Sequence, residues 1–135
     1  NTDFGVIKMI TARFRKYWNS FISEYVEIRT DSINEILEYA YKVHKDSVYP
    51  TVSRFDCVGK SKCFKRGWLN VDYALKGRMG NRGSLWLERI TYHGDNGDVI
   101  VFGKSENYIS PKTAKAFDDF AQVVKKREES KFGEF

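Results

Sequence analysis

Ile7-Lys8-Met9-Ile10-Thr11-Ala12-Arg13-Phe14-Arg15-Lys16-Tyr17-Trp18-Asn19-Ser20-Phe21-Ile22-Ser23-Glu24-Tyr25 is the stretch on which the fold class turns. Within it Ile7, Ile10, Phe14, Trp18, Phe21 and Tyr25 recur every three or four residues, the period of one helical face. Lys8, Arg13, Arg15 and Lys16 fall between them, and Asp3 is placed to cap the start. The stretch therefore reads as a leading helix. Beyond it, from Tyr25 to Thr30, the pattern alternates like a strand, with Val26 and Ile28 on one side.

A second helix is marked by Ser32 and Glu35, a capping-box pair that satisfies free amides at a helix start. Ile33, Ile36, Leu37, Ala40 and His44 form its apolar face, which makes His44 a satisfied, partly buried imidazole. From Gly67 the period changes to two. Leu69, Val71, Tyr73 and Leu75 alternate with Trp68, Asn70, Asp72 and Ala74. A second strand follows from Ser84 to Tyr92, and a third from Val99 to Phe102, apolar on both faces and so read as central. Asn96-Gly97 between them suits a tight turn, and His93 ends a strand beside it. Ser110-Pro111 opens a last helix by cap and first-turn proline, with Ala116, Phe117, Phe120, Ala121 and Val124 as its buried stripe.

The expected fold is α+β: N-terminal helices, a central antiparallel meander of three to four strands, and a C-terminal helix packed on the sheet. The 135 residues suit a single domain, 1–135, with the charged run 125–135 as a frayed tail. Hydrophobic residues at 41% and aromatics at 16% supply an ordinary core, which argues against disorder. No apolar run reaches the roughly 18–20 residues of a membrane span, and no signal-like segment opens the chain. Cys57 and Cys63 make no disulfide framework and read as free thiols, so the expected compartment is the cytoplasm.

The charge carries the functional expectation. Arg54–Arg89 holds nine basic residues and three acidic ones, whereas the remainder holds 14 basic and 15 acidic. A clustered excess of this kind suits phosphates, whose neutralisation releases condensed counterions. Two segments stand out. Lys60, Lys62, Lys65 and Arg66 interleave with Phe64 and Trp68, the pattern of a single-strand surface on which bases stack and cations follow the backbone. Lys76-Gly77-Arg78-Met79-Gly80-Asn81-Arg82-Gly83 is a glycine-rich hairpin connection whose arginines reach phosphates or base edges, with Arg89 further along the next strand.

Enzyme signatures are missing. Gly59-Lys60-Ser61 imitates a P-loop ending, but Arg54 stands where that motif needs glycine. His44, Cys57, Cys63 and His93 match no compact zinc spacing, and no nucleophile elbow or dinucleotide fingerprint occurs. The expectation is a non-enzymatic, largely sequence-tolerant nucleic-acid-binding protein without cofactor or metal, from a virus or mobile element. A protein-binding inhibitor of a nucleic-acid-handling partner is the alternative, and a small basic ribonuclease or toxin the third. A homodimer is compatible with all of these.

Overall fold

The structure is a computed structural model and describes residues 9–19, 21–47, 53–63, 66–74, 82–103 and 108–132. Its elements run β1 (Ile10–Trp18), β2 (Phe21–Thr30), α1 (Ile33–Lys45), β3 (Arg54–Val58), β4 (Trp68–Ala74), β5 (Arg82–Gly94), β6 (Gly97–Gly103), β7 (Tyr108–Ile109) and α2 (Pro111–Phe132). The expected leading helix is overturned: its described part is two strands of an antiparallel hairpin. The expected class is corrected with it. The protein is mostly β, seven antiparallel strands in one sheet with one short and one C-terminal helix, and not helices leading a meander of three to four strands.

The physical reason lies in spacings. Ile10, Phe14 and Trp18 are four apart, which fits a helical face but equally places them on one side of a strand. The residues between them decide. Ala12 is fully buried with Ile10 and Phe14, whereas Thr11, Arg13 and Arg15 point the other way. Phe21, one of the supposed helical stripe, is 74% exposed. Asn19 makes the turn with φ 47°, a left-handed conformation that asparagine tolerates. That turn is pinned to β5: the Asn19 N–H donates to the Arg82 carbonyl, and the Arg82 N–H donates to Asn19 Oδ1.

The main sheet order is β2-β1-β5-β4-β3. β5 is the spine. One of its edges pairs along its length with β1, while the other is shared, first with β4 through Arg82–Trp86 and then with β6 through Arg89–Gly94. β6 is therefore flanked by β5 and the two-residue β7, and Val99 and Ile100 are exposed, which corrects their expected central place. At the β5–β6 turn the positive φ falls on Gly97 alone, at 120°.

Both helices cover one face. Ile10, Ala12 and Phe14 of β1, Leu69 and Val71 of β4, Leu85, Leu87 and Ile90 of β5, and Phe102 of β6 form one core with Ile36, Leu37, Ala40 and Tyr41 of α1 and Phe117 and Phe120 of α2. α1 starts where the capping box puts it: Glu35 N–H donates to Ser32 Oγ, and Asp31 N–H to Glu35 Oε2. α2 starts at Pro111, capped by Ser110, whose Oγ accepts from Thr113 N–H. It is helical to Phe132, and Arg127 grips Glu38 of α1 through two bonds of 2.7 and 2.9 Å while Glu128 accepts from Tyr41 Oη at 2.9 Å; residues 133–135 of the charged tail lie outside the described residues.

Candidate nucleic-acid interface

With both helices on one side, no described element covers the opposite face of the sheet. Strand alternation dictates what it presents, and register sets the order. One row across the strands reads Tyr25, Arg15, Trp86, Asn70, Asp56; the next toward the β1–β2 turn includes Tyr17, Ser84, Asp72 and Arg54. In the other direction come Glu27, Arg13 and Arg89, then Arg29, Thr11 and Thr91. The bare face therefore interleaves arginines and aromatic rings.

A β-bulge organises its centre. Arg13 pairs with Arg89 and Phe14 with Leu87, so Glu88 is the extra residue of β5. Its carboxylate lies 3.1 Å from Arg13 Nε and 3.0 Å from Arg15 Nη2. The first contact is an ion pair without hydrogen-bond alignment; the second is also a hydrogen bond. Arg15 additionally reaches the Tyr17 hydroxyl at 3.4 Å, and these two partners, the tyrosine foremost, hold its guanidinium above the ordinary arginine value. The Arg13 guanidinium stacks 4.1 Å from the Tyr25 ring centre, and Tyr17 packs against Trp86 with ring centres 5.5 Å apart. Cation–ring stacking and the bridging of two guanidiniums by one carboxylate lock these side chains as a preorganised array.

Two hollows flank this centre. A broad one of about 630 Å³ lies between Tyr17, Arg82, Trp86 and Asp72. A narrower one of about 160 Å³ opens where β4 and β6 part along β5, walled by Arg66, Trp68, Trp86 and Tyr108. Trp68 is oriented there by its indole N–H, which donates to Asp56 Oδ2 at 2.8 Å. Three aromatic rings and a guanidinium around a slot suit the π-face of a nucleobase.

The residues expected from sequence are divided by this geometry. Lys60 and Lys62 are exposed in the β3–β4 connection, and Arg66 is half-buried at its end. Phe64, Lys65, Lys76 and Arg78 lie outside the described residues. The two basic segments enter at opposite ends of β4, at Trp68 and at the Ala74–Arg82 pair, about 20 Å apart at the usual strand rise. Trp68, Arg82 and Arg89 do share the bare face, and Arg13, Arg15, Arg29, Tyr17, Tyr25 and Trp86 join them unforeseen. The alternation Thr11-Arg13-Arg15-Tyr17 was the signal that would have found them.

Among the described residues no three of His, Cys, Asp or Glu converge as metal ligands, and no helix is long and apolar enough to cross a membrane. Cys57 is buried and Cys63 exposed, both as free thiols; burial pushes the Cys57 thiol well above its ordinary value. No protein-family model, curated protein or solved structure matches the chain.

Proposed function

We propose that the protein binds single-stranded nucleic acid across the helix-free face of its sheet, with little dependence on sequence. The observation that carries this reading is the joint presence, on one face, of forked guanidiniums (Arg13, Arg15, Arg82, Arg89) and of the ring-walled slot between Trp68, Trp86 and Tyr108. Guanidiniums match phosphate geometry, and rings accept any base. Carboxylates at Glu27, Glu88, Asp56 and Asp72 interleave with the arginines, so the face supports local phosphate contacts better than a uniform positive field. The basic connection before β4, with Lys60, Lys62 and Arg66, extends the path of the strand. A fluorescence-polarisation titration with single- and double-stranded DNA and RNA at two salt concentrations tests it. Single strands should bind more tightly than duplexes, with a log–log salt slope of about −0.7 per phosphate contacted. A preference for duplex, or a flat salt response, refutes the reading.

Docking of a protein has one observation in its favour. Among the described residues β2 pairs with β1 alone, and near it Trp18, Phe21, Ile22 and Tyr25 are exposed. A long bare edge with apolar side chains is a template for a further strand. Light scattering at increasing concentration separates the two: a dimer lost on placing Pro at Ser23 or Glu24 would assign this edge to protein pairing.

A further inference from the structure

A third hollow on the bare face, of about 390 Å³, lies toward the β5–β6 turn. Arg13, Arg29 and Arg89 line it together with Thr11, Thr91 and His93. All six are residue types that bind phosphoryl oxygens, by fork, hydroxyl or imidazole. Arg13 and Arg89 are direct partners across β1 and β5, and like charges so placed repel. Among the described residues, neither Arg29 nor Arg89 has a carboxylate within ion-pair distance. Arg13 is shared between Glu88 and, at 3.9 Å, Glu27, whose side chain is mostly exposed.

His93 stands at the rim of the hollow. Its Nε2 lies 2.6 Å from Thr11 Oγ1, and its Nδ1 lies 2.8 Å from Asp98 Oδ1, which fixes the ring. The charged groups facing His93 are Arg13 of β1, Arg29 and Glu27 of β2, Arg89 of β5 and Asp98 of β6.

We propose that this hollow is a phosphoryl-group site, in which Arg29, Arg89 and Arg13 hold the oxygens. It rests on the reading of this face as a nucleic-acid surface and names where one phosphate of the strand is anchored. A free phosphate and a strand phosphate offer the same chemistry, so the probes are inorganic phosphate, a short single-stranded oligonucleotide, and the same oligonucleotide with a 5′-phosphate.

Binding of each probe is measured at two salt concentrations. Replacing Arg29 and Arg89 together by Ala should weaken the strand about tenfold or more and flatten its salt slope by about 0.7 per lost phosphate. Preference for the 5′-phosphorylated strand would place a chain end here, and equal binding of both strands an internal phosphate; either supports the site.

Strand binding that is unaffected by the two arginines overturns the site while leaving the reading of the face intact. If no strand binds, that reading fails. Inorganic phosphate then decides: binding lost in Arg29→Ala, Arg89→Ala supports the site, and no binding overturns it.

Discussion

Gly59 lies against the Ala114 carbonyl of α2 so closely that a Cβ at position 59 would overlap the oxygen. The same backbone donates its N–H to Asp118 Oδ1 at 2.6 Å, which ties the end of β3 to the helix. Gly59→Ala must displace α2 or the β3–β4 connection, since a carbonyl of a helix cannot swing aside. The expected loss is about 1–3 kcal/mol of stability, the range for overpacking, read by denaturant unfolding. An unchanged unfolding midpoint would mean that this contact does not govern the approach of α2 to the sheet.

Tyr41 ionises late. Burial first, and then its hydrogen bond to Glu128, push its phenol up to about 12. An unfolded tyrosine ionises near 10, so the folded state favours the neutral form. That contribution is complete below about pH 10 and is lost as the pH rises toward 12. Tyr41→Phe should lose about 1 kcal/mol at neutral pH, one hydrogen bond, and show a shallower alkaline decline. Tyrosinate absorbance followed during alkaline titration gives the direct check.

His44 acts at the other end of the scale. Burial lowers its pKa, with Glu128 working against that and Lys45 with it. Its Nδ1 lies 2.7 Å from Ser53 Oγ, a neutral partner. The unfolded chain takes up the proton near pH 6.5 while the folded chain resists it, so stability is lost as the pH falls through that region. Thermal melts of His44→Gln should show a flatter decline there than the parent; equal slopes would remove burial as the cause.

The thiols should separate by rate. Cys63 is exposed and should react with a thiol reagent at once. Cys57 is buried, with its Sγ 3.3 Å from the Phe117 carbonyl, and should react only when the protein unfolds. Two fast thiols would contradict the packing of β3 against α2.

Trp68 probes the slot. Its replacement by Ala should weaken single strands by about 1–3 kcal/mol, the usual loss per stacked base. Ligand-induced quenching of tryptophan fluorescence should diminish in the same variant. Unaltered affinity and quenching would exclude the slot between Trp68, Trp86 and Tyr108 as a base site.

What could be read from the chain was what is encoded locally. Ser32 Oγ accepts from the Glu35 N–H and the Glu35 carboxylate from the Asp31 N–H, all within one helical turn, and Leu69, Val71 and Tyr73 alternate within a single strand. The β1–β2 hairpin was hidden because its apolar spacing fits either period and because the partner that settles the matter, β5, follows some seventy residues later. The site was hidden for the same reason. Arg82, Arg89 and Trp68 could be suspected from the basic run that contains them. Arg13 and Arg15 sat in a supposed helix, and only strand pairing sets Arg13 beside Arg89 and Arg15 beside Trp86.

The shared edge of β5 also has a kinetic meaning. Ile10 pairs with Tyr92, so β1 waits for a late strand before its inner edge is paired. A ribosome-bound chain that ends before Arg82 holds β1, β2, α1, β3 and β4 without the strand that joins β1 to β4. Closing so long a loop must precede any stabilisation by the contacts it makes, which puts the protein among slow-folding, non-local topologies. Until β5 arrives, the nascent chain exposes the strand edges of β1 and β4 that β5 pairs, and is at its most aggregation-prone just before synthesis of the spine.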